Sequence, residues 1–440
     1  MKPIRVGLLG LGIVGGGTYA VLERNREEIS RRAGREIFVT MAAVRAVDLE
    51  RAREKTAGRI ALTTDPAQVV NAPDVDIVAE LMGGIHPAKE LVLQAIQQGK
   101  HVVTANKALL ALHGNEIFQA AHERGVMVAF EAAVAGGIPI IKMLREGLTA
   151  NRIEWIAGII NGTSNYILTS MRDRGVSFEA ALKEAQALGY AEADPTFDIE
   201  GIDAAHKLTI MAAIAFGIPM QFDRAYTEGI SRLTSKDIRY AEEFGYRIKL
   251  LGITRRTTRG IELRVHPTLI PQKRLIANVD GVMNAVLVKG DAVGATLHYG
   301  AGAGAEPTGS SVVADLVDIT RMATADPGNR VPHLAFQPDQ MRDDVVLPVA
   351  DIETSYYLRM QAFDRTGVLA DVTRILADLD ISIEAMLQRE PVAGEEHVDV
   401  IMLTHQTLER QIDRAIAAIE ALDSISGQVT RIRLELLGSA

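Results

Sequence analysis

Apolar and polar positions alternate along the chain in blocks that read as strand then helix. Ile4–Leu9 (IRVGLL) is a short apolar run, followed by three spaced glycines and a helical pattern through about Arg32. IFVTMAAVRAV at 37–47 predicts a second strand, and DIVAEL at 76–81, HVVT at 101–104 and VMVAF at 126–130 predict three more. Between them, Ala88–Gln98 has helical spacing and ends at Gly99, a suitable C′ residue. This alternation predicts a parallel, doubly wound Rossmann-type sheet over 1–130.

From residue 131 the pattern changes. EAAVAGGIPIIKMLREGL opens on a Gly-Gly-Ile-Pro turn and runs into a helix, and RIEWIAGII at 152–160 predicts a strand. Helices are expected at 177–188 and 203–216, and strands at 261–270 and 283–289, giving a mixed α/β domain over 131–304. A second glycine-rich loop, YGAGAGAEPTGSS at 299–311, precedes a helix, so that about 305–325 is expected to complete the first domain. Residues 326–350 read as a linker rich in Pro, Asp and Gly. The tail, 351–440, has the order βαββαβ of a ferredoxin-like sandwich.

At 440 residues the chain is too long for one ordinary core. Its net charge of −9, from 56 acidic and 47 basic residues, argues against nucleic acid or an anionic membrane as the main partner. The most apolar run, Leu208–Met220, falls short of the roughly 20 residues of a membrane helix. MKPIRVGLLG leads straight into a strand, so a signal peptide is not expected and a cytoplasmic location is. There is no cysteine, which excludes disulfides, Cys-ligated zinc, iron–sulfur clusters and thiolate nucleophiles.

Gly10, Gly12 and Gly15 form G-x-G-x-x-G between a strand and a helix, the setting of a dinucleotide-binding loop; the alternative is a tight turn. At the tip of the second strand stands Arg45, where an acid that grips a ribose 2′-hydroxyl is usual, with Asp48 three residues on. Arg45 either accepts a 2′-phosphate, favouring NADP over NAD, or is a surface residue. Lys107 follows a strand's C-terminal end, where open sheets bind ligands, yet a helix-start surface lysine reads the same way. GYAEADPTFDIEGIDAAHK at 189–207 crowds Glu192, Asp194, Asp198, Glu200 and Asp203 ahead of Lys207. A solvated loop, a metal site and a site for a cationic substrate compete there. Asp194, Asp198 and Glu200 lack the alternation of a calcium loop, and His206 has no histidine at i±3 or i±4. Asp203 and Lys207 share a helix face, which alone means a surface ion pair.

GLGIVG, TANKALLA, FEAAVAGGIPII, NGTSNYIL, LGYAEADPTFDIEGIDAAHKL and GAGAGAEPTGSSVVADL, in this order over about 4–325, resemble homoserine dehydrogenase. The tail, with FDRTGVLADV, resembles an ACT domain, and the whole is similar to the monofunctional bacterial form. The resemblance implies NAD(P)-dependent interconversion of L-aspartate 4-semialdehyde and L-homoserine in threonine, methionine and isoleucine biosynthesis. It implies Lys207 as proton donor, Lys107 beside cofactor and substrate, and Glu192 and Asp203 as substrate-binding acids. Cofactor positions would be Gly10, Gly12, Ile13, Val14, Gly15, Arg45, Thr104, Lys107, Gly189, Gly302 and Glu306. A structural sodium ion would lie at Glu131, Val134, Gly136 and Ile138, and an effector such as threonine at Asp364, Gly367, Val368 and Leu369. ACT units usually pair, so a homodimer or homotetramer is expected; a purely structural dimerisation module is the other reading of the tail.

The chemistry is consistent with the residues. Hydride addition to an aldehyde builds negative charge on its oxygen, and a placed lysine stabilises that charge and supplies the proton. A second lysine and partial desolvation would lower its pKa for the reverse step. An aspartate semialdehyde dehydrogenase is excluded, because it needs a cysteine nucleophile. A non-catalytic amino-acid sensor with a dinucleotide fold is the remaining alternative, and it has no need of the two lysines.

Overall fold

The computed structural model describes residues 2–389 and 397–438. Met1, and positions 390–396 and 439–440 within the expected tail domain, lie outside the described residues. The chain forms two compact units, one of residues 1–162, 203–225 and 282–344 and the other of 163–202, 226–281 and 345–440.

In the first unit the strands β1 (Ile4–Leu9), β2 (Ile37–Ala43), β3 (Ala61–Thr63), β4 (Ile77–Glu80), β5 (His101–Thr104) and β6 (Val128–Ala129) form one sheet in the order β3-β2-β1-β4-β5-β6. Each neighbouring pair in that order runs parallel. The expected doubly wound sheet is therefore the observed one. Its order reverses beside β1, so the loops after β1 and β4 flank the crevice where such sheets take ligands. A separate antiparallel ladder joins Ile153–Ile159, Met283–Gly290 and Gly294–Ala301.

Several elements differ from expectation. The first helix stops at Arg24 and a second runs Arg26–Ala33, because the polar sequence RNREE offers no continuous apolar stripe. The strand expected at 126–130 narrows to two residues, and the helix after Gly-Gly-Ile-Pro is a short turn, Ile140–Lys142, continued by a π-helical turn, Met143–Gly147. The second glycine loop is mostly regular, since the strand Gly294–Ala301 enters it and the helix Ala305–Met322 leaves it. Residues 326–344 hold no long helix or strand but are packed: His333 stacks on Phe118 with ring centres 5.3 Å apart and accepts a hydrogen bond from the Val128 amide.

The helix Ala305–Met322 packs on the helix Ile13–Arg24 through Val312, Val313, Leu316 and Val317, which share a core with Val21 and Leu22. The backbones meet through glycine. A Cβ at Gly17 would lie 1.9 Å from the Ala305 carbonyl oxygen, and one at Gly309 would lie 2.7 Å from the backbone of Gly17.

In the second unit, Tyr246–Arg256 pairs antiparallel with Ile261–Pro271, which pairs in parallel with Ile425–Leu434. From there the ladder continues through Glu353–Phe363 and His397–Thr404 to Ile383–Gln388. With the helices Val368–Asp378 and Glu409–Glu420 this is the expected βαββαβ tail. Strand 246–256 is not among the expected ones: YRIKLLGITRR mixes basic residues into an apolar run and lacks a clean period of two.

Gly17→Ala should cost about 1–3 kcal/mol, because neither backbone can yield without moving a helix. Urea unfolding of both proteins at pH 7 measures it; an unchanged midpoint would mean the two helices do not meet through these glycines.

Candidate functional site

The loop after β1 carries the first group of predicted residues. Gly10 has φ +99°, and a Cβ there would lie 2.8 Å from the Leu81 carbonyl oxygen. At Gly15 a Cβ would lie 2.2 Å from the Gly10 carbonyl oxygen, so only glycine lets the helix start this close to the strand. A Cβ at Gly12 would meet no heavy atom within 4 Å, which leaves open the approach to the helix's first amides, where a pyrophosphate would sit. Ile13 is 74% exposed, and Gly12, Ile13, Gly16, Lys55 and Glu306 line a cavity of about 530 Å³. The residues present therefore fit a dinucleotide phosphate.

Arg45 lies just past β2 and its Nε donates to Asp48 Oδ2 at 2.7 Å, so the basic and the acidic candidates hold each other on the surface. Lys55 carries no motif that marks it in the sequence. Its Nζ reaches the carbonyl oxygens of Leu11 and Gly12 at 3.3 Å, placing a cation against the glycine loop. Partial burial, then nearby Arg51, lowers its pKa. Glu306 is exposed and bound by both guanidinium nitrogens of Arg24, at 2.8 and 2.9 Å.

The two lysines converge. Lys107 is the first residue of the helix Lys107–Arg124, capped by the Asn106 side chain, and its Nζ lies 3.2 Å from Asp203 Oδ1. Lys207 sits one turn after Asp203 on the helix Ile202–Phe216, and its Nζ donates to Asp203 Oδ2 at 2.6 Å and to the Ile160 carbonyl at 2.7 Å. Asn161 Nδ2 donates to the same Oδ2 at 3.0 Å. Asp203 and Lys207 are 5% and 9% exposed, which overturns the surface-pair reading. Burial alone would raise the Asp203 pKa; the Lys207 and Lys107 ammonium groups, with the bonds from Lys207 and Asn161, outweigh it and hold the carboxyl well below the usual range. Neither Ile160 nor Asn161 is given a role by the sequence, although Asn161 opens NGTSNYIL, one of the motifs that carry the resemblance.

Other predicted residues are placed as follows. Thr104 is buried, and its hydroxyl donates to Glu80 Oε2 while accepting from the Asn106 amide. The Glu131 carboxylate accepts the amides of Ile141 and Lys142, each at 2.8 Å, so its side chain caps the turn that begins at Ile140. Ala135 and Gly136 have φ +55° and +51°, Val134 and Ile138 are buried, and the Gly136 carbonyl accepts the Ser311 hydroxyl at 2.7 Å. A Cβ at Gly302 would clash with the Asn284 amide at 2.0 Å.

Gly189 and Glu192 belong to the second unit, as do Asp194, Asp198 and Glu200. Gly189 has φ +76°, Glu192 is exposed, and the acidic stretch holds a helical turn at Thr196–Ile199. Asp194 caps this turn, accepting the amide and the hydroxyl of Thr196. In the tail, Gly367 has φ +94° and precedes the helix Val368–Asp378; Asp364 is exposed, Leu369 partly buried, and Val368 in the tail's core.

A cavity of about 800 Å³ is lined by residues such as Phe118, Arg145, Met322 and Phe336 and by none of Lys107, Asp203 or Lys207. Its size does not make it the reaction centre. The ion pair on its wall, Lys142 with Asp318, is partly buried, whereas the carboxylate that joins the two lysines, Asp203, is buried. Among the described residues no group of three or more His, Asp or Glu side chains could hold a metal ion. No helix among them is long and apolar enough to cross a membrane.

His206, beside this cluster, is 2% exposed and packs on Phe222 with ring centres 4.4 Å apart. Burial lowers its pKa from 6.5 to about 4; Asp203 opposes this and the two lysines add to it. Between these values the unfolded chain is protonated and the folded one is not, so unfolding takes up a proton. Stability should therefore fall as pH drops from 6.5 towards 4, by at most about 1.4 kcal/mol per pH unit from this group. Urea midpoints at pH 7, 6 and 5 should show a shallower decline in His206→Phe; equal slopes would exclude His206 as a source.

The family comparisons agree with this geometry. A family model described as homoserine dehydrogenase, NAD binding domain, matches residues 10–131; homoserine dehydrogenase matches 139–317; and the ACT domain matches 356–424. A homoserine dehydrogenase of Pseudomonas aeruginosa is 63% identical over 437 residues, covering 99% of this chain and 100% of that one. One from Bacillus subtilis is 39% identical, covering 99% of each. The crystal structure of a homoserine dehydrogenase from Thiobacillus denitrificans is similar with a TM-score of 0.95 and 71% identity, covering 100% of this chain and 99% of that one. The Staphylococcus aureus enzyme at pH 7.5 has a TM-score of 0.74 and 31% identity, covering 99% of each chain. With an NAD-binding domain, a catalytic domain and a C-terminal ACT domain, the chain belongs to the homoserine dehydrogenase family of oxidoreductases.

Proposed function

We propose that Lys107, Asp203 and Lys207 form the reaction centre for interconverting L-aspartate 4-semialdehyde and L-homoserine, a step of threonine, methionine and isoleucine biosynthesis. One observation carries this reading: a single buried carboxylate holds both ammonium groups in the unit that carries the glycine loop. Lys107 and that loop both lie past the C-terminal ends of parallel strands, β5 and β1, with β4 between them. At a strand spacing of about 4.8 Å these ends are roughly 10 Å apart.

The nicotinamide cofactor supplies the hydride when bound. Lys207 gives the proton that the nascent alkoxide needs and takes it back from the hydroxyl in the reverse direction. Lys107 adds positive charge where the oxygen becomes negative. Asp203 keeps the two ammonium groups side by side and presents carboxylate to the substrate's ammonium. Glu192, as the second substrate acid, and Gly189, against the nicotinamide, enter through the family resemblance alone.

The loop residues Gly10, Gly12, Ile13, Val14 and Gly15 hold the pyrophosphate, with Thr104, Lys107, Gly302 and Glu306 completing the cofactor contacts. Arg45 leaves its surface pair with Asp48 to accept a 2′-phosphate, which favours NADP over NAD. The carbonyls of Glu131, Val134, Gly136 and Ile138 hold a structural sodium ion; consecutive left-handed residues at 135 and 136 support this by turning the backbone sharply there. In the tail, threonine or a related amino acid binds near Asp364, Gly367, Val368 and Leu369 and inhibits, and paired tails make the protein a homodimer or homotetramer. A cytoplasmic location follows from the same biosynthetic role.

Lys207→Ala should lower kcat for aspartate semialdehyde reduction by about 10²–10⁴-fold, the usual worth of a general acid. Near-normal turnover would remove Lys207 from that role, and absence of any NAD(P)H oxidation by the unaltered protein would favour a sensor. Calorimetric titration of the full chain with threonine should show binding that Gly367→Val weakens at least tenfold; no heat at millimolar threonine would leave the tail a dimerisation module. Replacing sodium by choline should lower the thermal midpoint if the sodium site is real, and an identical midpoint argues against it.

A further inference from the structure

Glu80 ends β4, a strand that is otherwise apolar, and it is completely buried. A carboxyl group at such a position is costly unless its oxygens are used. Both are. Oε1 accepts the amides of Met82 at 2.9 Å and Gly83 at 3.2 Å, and Oε2 accepts the Thr104 hydroxyl at 2.7 Å. Thr104 is the rung opposite Glu80 on the parallel ladder of β4 and β5. Its hydroxyl in turn accepts the Asn106 amide at 3.0 Å.

Asn106 completes the chain of contacts. Its Oδ1 accepts the Leu109 amide at 3.1 Å, capping the helix, and its Nδ2 donates to the Gly84 carbonyl at 2.6 Å. The loops after β4 and after β5 are therefore tied together twice, once through Glu80 and once through Asn106. Lys107, the next residue, has its Cα fixed at the helix start by this frame. Its long side chain is 40% exposed and reaches Asp203 Oδ1 from that start, so a shift of the frame moves the ammonium relative to the carboxylate.

We infer that Glu80 and Thr104 are positioning residues for Lys107: the buried Glu80–Thr104–Asn106 chain sets the first turn of the helix and so aims the Lys107 ammonium at Asp203. The Thr104 side chain then serves from beneath the site, since its only polar atom is committed to Glu80 and Asn106, and any cofactor contact of this residue is left to its backbone. The inference rests on the reading that Lys107 acts in the reaction centre.

A double-mutant cycle tests it. Thr104→Val removes the hydroxyl at nearly constant volume, and Thr104→Ser keeps it. Thr104→Val should lower kcat about tenfold, in line with the cost of a misplaced catalytic group, with KM for NAD(P)H unchanged within about twofold. Thr104→Ser should restore kcat to within about twofold. In Lys107→Ala, assayed at high enzyme concentration, adding Thr104→Val should cost nothing further. An equal fold-loss in both backgrounds, or a rise in KM for NAD(P)H at unchanged kcat, would overturn the inference. If Thr104→Val does not fold, judged by its thermal midpoint, Glu80→Gln takes its place in the same cycle, with the same expected and overturning results. Lys107→Ala with normal kcat would instead remove Lys107 from the centre, a failure seen in the single variant before any coupling is considered.

Discussion

A carboxyl group taken out of water must either bring positive charge with it or stop being charged, and the first unit meets this constraint in opposite ways at neighbouring places. Asp203 has two ammonium groups and an amide, and it stays well below the usual carboxylate range. Glu80 has only neutral donors, and burial raises its pKa despite them. Glu131 is likewise met by backbone amides and pushed by burial up to about 7, and Asp315, buried against it, is raised further by Glu131 itself. The two environments suit two tasks. A permanently ionised Asp203 can hold two cations close together, which they would otherwise resist. A carboxyl fed by neutral donors is well suited to holding backbone in place, and Glu80 and Glu131 do this for the loop after β4 and for the turn at Ile140.

Much of this was legible in the sequence, for reasons of period and glycine. The doubly wound sheet follows from apolar runs alternating with helical spacing, and Gly10 and Gly15 stand where a side chain would strike backbone. The tail's βαββαβ order was equally plain. What stayed hidden depends on pairs of residues far apart in the chain. Asp203 and Lys207 at i,i+4 read as a surface pair, and nothing local said that Lys107, nearly a hundred residues earlier, would meet the same carboxylate. Glu80 did carry a local signal: an acid closing the apolar run DIVAEL on a central strand needs partners. The strand 246–256 was obscured by Arg247 and Lys249, and Lys249 is in fact buried against Asp280, Asn165 and the Val279 carbonyl.

Within the second unit, ion pairs fasten the C-terminal tail to the strand Ile261–Pro271 and to Glu228 and Asp237. Arg433, completely buried, binds Glu409 from within the tail and Glu228 from outside it, at 2.7 Å for the latter. Arg264 reaches Glu435 at 2.6 Å and Glu262 at 2.8 Å. Arg359 and Tyr357 both donate to Asp237. Such buried networks add little net stability over apolar packing of the same volume, but losing one partner strands the other charge at a cost of about 3–5 kcal/mol. They therefore work against sliding more than against separation. A parallel edge of two rungs, Thr268 with Arg433 and Leu269 with Leu434, could not fix the register by itself.

The same attachment limits how an effector could act. Glu228 is followed by Gly229 and Ile230, and the Ile230 amide bonds the Ile199 carbonyl in the turn of the acidic stretch. A Cβ at Gly229 would lie 2.5 Å from that carbonyl oxygen, so the two segments cannot shift apart by small side-chain adjustments. Arg433 is thus linked to the turn Thr196–Ile199 of the acidic stretch through one ion pair, the segment 228–230 and one amide bond, all inside one compact unit. Any signal from the ACT domain along this route has to be a shift of backbone, because the link from Glu228 to Ile199 runs through main chain. Such a shift would therefore act on the acidic stretch that carries Glu192, the substrate acid proposed above on the family resemblance.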